Sequence, residues 1–385
     1  MRLKSSRAFG CAPLVAIAVG LSLFGLLMQY SASSYAAFTR TGDEFFFVKK
    51  QAVAMVASFC CMLFFSRVDA RILAKISPVL LVVSIAALAA LFIPGLGVEM
   101  YGATRWLNLG FATVQPSEFA KFALVLFISA TLTKDREIGK GAFFLCAFAA
   151  ISVCVLIMLE PNMSIAVLVA LVAVFMMFVC GVKLKWFAAL SVPAIAAAVL
   201  LIVAEPYRLK RLLAFLDPWA SPLGEGYQLI QSYYALGSGG IFGVGLFNSR
   251  QKYLFLPFAE SDFVFAVVGE ELGFLGCAAV LAAFCALIYF GFRTAAESED
   301  VFSAYAAAGI TSVIAFQTLL NVAVVTGSIP PTGLPMPFLG YGGSSLVTFC
   351  SAVGVLDSIA RRNSRTRLFP VERKGARFLP LRHTL

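Results

Sequence analysis

The 385-residue sequence predicts an all-α, polytopic membrane bundle of about ten transmembrane helices, with a large external loop between the seventh and eighth. Hydrophobic residues make up 61% of the chain and charged ones only 13%, which is the balance of an integral membrane protein rather than a soluble domain. Apolar runs recur at about the 20-residue length that crosses some 30 Å of hydrocarbon. The runs are continuous rather than alternating, so a closed β-barrel is excluded.

In order, the runs fall near 10–31, 46–66, 77–94, 117–133, 142–159, 163–181, 186–204, 262–291, 303–326 and 342–360. The first lies between a basic "MRLKSSR" and a small-residue "SASSYAA", as in a signal peptide. It is longer than a typical signal core and nine more runs follow, so it is read as a retained helix. The fourth opens at Pro116 and Ser117, a pairing suited to a helix start. The eighth opens in "LPFAESDFVFAVVGEELGFLG", with Glu260, Asp262, Glu270 and Glu271 in apolar surroundings. The last follows "GSIPPTGLPMPFLGYGGSS", whose irregular backbone survives at membrane depth only when buried in protein or lining a cavity. Residues 1–360 thus form one membrane domain, with an external loop at about 205–261, and 361–385 form a basic cytoplasmic tail, polar and flexible.

Basic residues orient the bundle. Alternate connections together with the two ends hold 20 of the 30 Lys and Arg residues, which places both termini in the cytoplasm. The net charge of +10 is mostly this asymmetry, plus attraction to anionic lipid heads. The basic residues are dispersed in short loops, and no nucleic-acid-binding motif is present. The nine cysteines sit in or beside apolar runs without CxxC spacing, and the one histidine, His383, lies in the tail. A histidine-based triad or metal site is therefore excluded, and any chemistry must use carboxylates, hydroxyls and cations.

Three outer connections exceed a simple turn: 33–45, the segment "PGLGVEMYGATRWLNLGFATVQPSE", and 205–261. In the last, Arg208, Lys210 and Arg211 near one end and Arg250 and Lys252 near the other oppose the positive-inside rule. An anionic head group at the outer leaflet would explain them, and so would a solvated loop near anionic lipid. Between them "GSGGIFGVG" fits neither a dinucleotide fingerprint nor a P-loop, and suggests close backbone packing or a mobile lid. Asp262, at the outer interface, is the candidate reactive acid, although a helix N-cap would use the same residue. Glu270 lies about 12 Å deeper by helical rise, too far to form a glycosidase-like pair with it. Glu270 and Glu271 are read as bonded to neighbouring helices or protonated within the bundle. Glu118 and Lys121, three apart on one helical face, are a candidate structural ion pair, with contact to a substrate phosphate as the alternative for Lys121.

Taken together, the chain resembles the SEDS proteins, the shape, elongation, division and sporulation group of bacterial membrane glycosyltransferases. Four segments carry the likeness in family order: "GATRWLNLGFATVQPSEFAK", "RLLAFLDPWASPLGEGYQLIQSYYALGSGG", "SRQKYLFLPFAESDFVFAVVGEELGFLG" and "NVAVVTGSIPPTGLPMPFLGYGGSS". "LLMQYSASSYAA", "GDEFFFVKKQ", Gln228 and "NSRQK" look more like the division branch than the elongation branch. The resemblance implies ten transmembrane helices and polymerisation of lipid II at the outer face of the cytoplasmic membrane, at the septum, with undecaprenyl diphosphate as leaving group. It implies Asp262 as the essential aspartate, and Arg105, Gln228, Gln231, Ser232, Lys252, Ser238, Tyr341 and Ser344 as candidate substrate contacts. Arg105, Lys252 and a divalent cation, Mg²⁺ or Mn²⁺, would stabilise the diphosphate. A class B penicillin-binding protein and other division proteins are the implied partners. Phe258 stands where the family usually has Glu, Glu260 and Ser261 replace His and Thr, Pro331 replaces Val or Thr, and Gly340 replaces Ser. The competing class is a lipid II flippase, which would need ionisable groups near the bilayer midplane.

Overall fold

The computed structural model describes residues 12–100, 103–110, 112–133, 139–187, 189 and 206–368. Its helices are α1 (Ala12–Thr41), α2 (Phe46–Phe65), α3 (Ala70–Ala90), α4 (Pro116–Leu132), α5 (Lys140–Leu159), α6 (Met163–Val179), α7 (Pro206–Leu216), α8 (Tyr227–Gly239), α9 (Val264–Ala296), α10 (Val301–Val325) and α11 (Gly343–Leu368). Seven of these, α1–α3, α5 and α9–α11, are long and apolar enough to cross a bilayer. α4 and α6 have 17 residues each, at the short end of the roughly 17–25 a span uses. The seventh expected span, 186–204, lies almost wholly outside the described residues, as do Arg208's side chain and the chain beyond Leu368.

Three expected boundaries move. α3 starts at Ala70 instead of 77. α1 runs on to Thr41, so most of the expected 33–45 connection is helix. α11 continues past 360 to Leu368, so the first part of the expected tail is helical. Tertiary ties hold that extension: Arg362 Nη1 lies 3.6 Å from Asp69 Oδ1, and Asn363 donates to the Thr294 carbonyl of α9 at 3.0 Å.

α4 and α10 form the interior of the bundle, with α2 and α3 more open to the surroundings. Lipid gives no hydrophobic drive between helices, so small residues and hydrogen bonds hold them together. A Cβ added to Gly354 of α11 would lie 2.3 Å from the Met62 carbonyl oxygen of α2, which sets the approach of that pair. In α4 the expected ion pair forms: Lys121 Nζ is 2.8 Å from Glu118 Oε2, and both side chains are 1% exposed. Gln317 of α10 accepts a second bond from Lys121 at 2.8 Å and donates to the Pro335 carbonyl at 2.9 Å. The Phe349 ring lies under the ammonium at 4.5 Å.

The connection between α3 and α4 is a small antiparallel sheet rather than an irregular loop, ordered β1 (Gly97–Met100), β2 (Ala103–Asn108), β3 (Thr113–Val114), with Val98 opposite Trp106. Of the expected loop, residues 206–261 fold into α7, a 3₁₀ turn at Pro218–Ala220, α8, and a run of turns leading to α9.

α9 departs from the single helix expected from residue 262. It starts at Val264, so Asp262 precedes it; Phe263 occupies the cap position without a side-chain cap bond. At Gly273 (φ 66°, ψ −163°) the helix breaks. The glycine-rich run 240–245 fills the break: Gly240 and Ile241 carbonyls accept from Phe274 and Leu275 N–H, at 2.8 and 3.1 Å. Val244 and Gly245 N–H donate in turn to the carbonyls of Glu270 and Glu271, at 2.9 and 3.0 Å. Backbone groups freed inside a membrane bundle are thereby satisfied. Only glycine fits at Gly243, where a Cβ would meet the Glu271 carbonyl oxygen at 2.1 Å.

Candidate active site

Four connections meet at one end of the bundle. From β2, Arg105 donates Nε to the Glu160 carbonyl at 3.3 Å and Nη2 to the Pro161 carbonyl, tying the sheet to the α5–α6 turn. Ser164 at the start of α6 donates to the Thr332 carbonyl of the α10–α11 loop. Arg211 of α7 donates to the Pro331 carbonyl of the same loop at 3.3 Å. Asn321, one turn from the end of α10, donates to the carbonyls of both Asp262 and Leu334, at 2.8 and 2.7 Å. Tyr341 N–H donates to the Glu260 carbonyl at 2.9 Å.

Asp262 is half-buried where these segments converge. A Cβ on Gly333 would sit 3.3 Å from Asp262 Oδ2, and the left-handed backbone there (φ +71°) lets the Pro-rich loop pass close to the carboxylate. Burial pushes the Asp262 carboxyl up to about 6. A Ser261 hydrogen bond and the charges of Arg105 and Arg211 counter it, while the charge of Glu260 adds to it. The result is a carboxylate that is ionised at neutral pH yet more basic than an ordinary aspartate, with two guanidinium groups acting on it. Such a group suits proton abstraction beside an anionic ligand.

The other expected residues divide. Gln228 Nε2 reaches the Pro257 carbonyl at 3.3 Å, linking α8 to the strand of chain that delivers Asp262. Gln231 is half-buried on α8 and Ser238 is exposed, bonded to the Ala235 carbonyl of its own helix at 3.0 Å. Ser232 is fully buried and donates to the Val325 carbonyl at 2.7 Å, joining α8 to α10. Tyr341 packs edge-on against Phe47 at 5.3 Å. Ser344 accepts from Gln115 N–H at 3.1 Å and bonds the Thr113 carbonyl at 3.3 Å, fixing the sheet to α11.

Lys252 is placed differently from the expectation that it faces a diphosphate. It is 7% exposed, donates to the Phe247 carbonyl, and lies 3.8 Å from Glu271 Oε1. The reason is the break in α9. Beside it, Glu271 accepts from Ser31 of α1 and from Ser249 N–H at 3.2 Å, while Glu270 accepts from Ser249 Oγ and from Arg250 N–H at 2.9 Å. The two deep acids clamp the 249–252 turn as well as a neighbouring helix.

Glu160, Asn321 and Gly333 were not singled out by their sequence context, and Arg211 only as one of a cation cluster. The signal for Glu160 was present: an acid closing an apolar run, immediately before a proline. Among the described residues no three His, Cys, Asp or Glu side chains gather to hold a metal ion, and no step below is routed through one.

Fold and site together define a polytopic helical membrane protein with an acid–guanidinium centre built from the loops at one end. The chain belongs to the FtsW/RodA/SpoVE family of cell cycle proteins, whose sequence profile matches residues 12–365. It is 39% identical over 351 residues to stage V sporulation protein E of Bacillus subtilis, covering 90% of this chain and 96% of that one. It is 38% identical over 351 residues to a protein of Geobacter sulfurreducens named probable peptidoglycan glycosyltransferase FtsW, covering 90% and 94%. Its fold matches a chain from the structure of a peptidoglycan synthase complex that coordinates polymerization and crosslinking, with a TM-score of 0.74, 28% identity, and coverage of 91% and 97%. The rod shape determining protein RodA of Thermus thermophilus shares the fold, with a TM-score of 0.66, 24% identity, and coverage of 91% and 96%.

Proposed function

We propose that this protein is a peptidoglycan glycosyltransferase that polymerises lipid II into glycan strands at the outer face of the cytoplasmic membrane, in septal wall synthesis. The observation that carries the reading is Asp262, a carboxylate of raised basicity acted on by Arg105 and Arg211 where four connections converge. Asp262 takes the proton from the 4-hydroxyl of the acceptor sugar, and that oxygen attacks C1 of the donor. The bond from C1 to the diphosphate oxygen breaks, and the undecaprenyl diphosphate leaves with the electron pair. A single displacement inverts the anomeric centre and needs one base rather than a carboxylate pair. Arg105 and Arg211 face the charge that grows on the leaving diphosphate, and the relation to proteins named FtsW supports the same chemistry. Lys252, held by Glu271, braces the loop instead.

A flippase reading is less well supported, because the unusual acid and the cations stand at one end of the bundle. The buried charges of α4, Glu118 and Lys121, neutralise each other. A class B penicillin-binding protein and further division proteins are the proposed partners, the membrane end bearing Asp262 is external, and both termini are cytoplasmic. A divalent cation, Mg²⁺ or Mn²⁺, is proposed as a companion of the substrate's diphosphate; addition of EDTA should lower the rate, and full activity in EDTA would remove it.

The test is incubation of the purified protein with lipid II and a cognate class B penicillin-binding protein, with glycan chains separated on a gel. Chains formed by the wild type and absent with Asp262→Asn are expected. Lipid II carried across vesicle bilayers without polymerisation would favour the flippase.

A further inference from the structure

The end of the bundle opposite Asp262 carries two adjoining hollows that the proposed reaction does not use. α2 begins beside the site, where Phe47 packs on Tyr341 and Gln51 accepts from Gly342 N–H at 3.3 Å, so its last turn lies at the far end. There a first hollow of about 550 Å³ is lined by Cys60, Leu63, Phe64, Arg67 and Val68. A second, of about 310 Å³, shares Leu63 and lies between α1, α2 and α11, with Asp357 and Arg361 in its wall. Ser358 of α11 donates to the Val68 carbonyl at 2.6 Å, which ties the turn after α2 to α11.

The wall of the first hollow is apolar and open: Leu63 is 48% and Phe64 63% exposed, and Cys60 is exposed on the same face of the helix. Arg67 stands at its rim, exposed, with Nη1 donating to the Leu63 carbonyl at 3.0 Å. A main-chain carbonyl orients the guanidinium and leaves its charge in place. Among the described residues no carboxylate pairs with Arg67. The flanking acids are engaged elsewhere: Asp357 with Arg361 at 2.7 Å, and Asp69 with Arg362 at 3.6 Å. A guanidinium above an apolar trough is complementary to a phosphate ester that carries acyl chains. The second hollow already holds an acid–cation pair, so it suits an acyl chain and not a second phosphate.

We propose that these hollows hold an anionic phospholipid, its phosphate on Arg67 and its acyl chains along Cys60, Leu63 and Phe64. On the proposed topology the lipid belongs to the inner leaflet, away from the reaction. Bound there, it braces the foot of α2 against α11, the two helices that carry Phe47, Gln51 and Ser344 at their other ends.

The experiment melts the purified protein in detergent while phosphatidylglycerol or phosphatidylcholine is added, each shift being read against the same protein without lipid. A ligand that binds the folded state raises the melting temperature. Phosphatidylglycerol should do so for the wild type at concentrations where phosphatidylcholine does not. Arg67→Gln should need at least about fivefold more phosphatidylglycerol for the same shift, the effect of one cation at a lipid phosphate. Lys140→Gln loses the same charge at the exposed start of α5, which packs on α3, α4 and α6, and should keep the wild-type curve. Equal shifts with the two lipids, or an Arg67→Gln curve that superimposes on wild type, would overturn the proposal. Equal weakening by Lys140→Gln would overturn it too, by reducing the effect to diffuse attraction. If Arg67→Gln melts too early to titrate, Leu63→Trp decides: it fills the point the hollows share, and an unchanged phosphatidylglycerol curve refutes the site. Inorganic phosphate is the last arm, and a phosphate shift that Arg67→Gln abolishes would mark a free-anion site in place of a lipid one. None of these readouts requires glycan synthesis, so the outcome is independent of the glycosyltransferase reading.

Discussion

Asp262 precedes α9 by two residues, and this position outside the helix leaves its carboxylate facing Gly333 and the arginines rather than capping N–H groups. Asp262→Asn keeps the size but removes the basic lone pair. Polymerisation should fall at least about 100-fold, the lower bound for a general base, while melting temperature and partner binding stay unchanged. The same carboxylate sets the acid limb of the pH profile. Only its ionised form accepts a proton, so the rate should decline as pH drops through about 6. A rate flat from pH 7 to pH 5 would assign the proton to another group. Lys121 differs in kind: its partners, Glu118, Gln317 and the Phe349 and Phe122 rings, are all structural. Removing one member of a buried pair typically costs about 3–5 kcal/mol, so Lys121→Ala should lower the melting temperature or the abundance. A variant of normal stability that forms no glycan would place Lys121 in the chemistry.

At the level of elements, the broken α9 and the glycine run that fills it act as one joint. The joint fixes the 249–252 turn through Glu270 and Glu271, and Asp262 follows about ten residues later on the same stretch of chain. Gly243→Ala puts a Cβ 2.1 Å from the Glu271 carbonyl at a left-handed backbone position. It should destabilise by about 1–3 kcal/mol, the usual range for overpacking, and reduce activity although it lies outside the proposed site. Melting in detergent beside the gel assay checks both, and an unaffected variant would mean the joint is loose in solution. The glycine run and the two deep acids were legible separately. Their mutual dependence was not, because no helical periodicity marks a break that is completed by a segment some thirty residues earlier. The sheet around Arg105 was hidden for a related reason: strands of two to six residues are too short to show an alternating pattern.

For the whole molecule, sidedness ties the site to the membrane. Arg105, Glu160, Arg211, Asp262 and Gly333 all come from connections at one end, which the proposed topology puts outside. A cysteine at Leu223, which is 91% exposed in the large loop, should react with an impermeant thiol reagent added to intact cells. A cysteine at the exposed Lys140, at the start of α5, should react only after the membrane is opened. The reverse pattern would invert the topology and remove the site from its external substrate.

The sequence by itself determined the class, the approximate positions of the long apolar helices, the Glu118–Lys121 pair and the candidacy of Asp262. Each of these is local: an apolar run of membrane length, an i, i+3 spacing, or a motif whose residues are neighbours in the chain. Only the tertiary structure decided that Asp262 precedes its helix, that Lys252 turns inward to Glu271, and that Arg105 and Arg211 both act on the Asp262 carboxylate. Those outcomes depend on which loops from distant parts of the chain meet at one end of the bundle. In a membrane, every backbone group and charge left by such a meeting must find its partner within the protein, and the partner is chosen by packing rather than by sequence spacing.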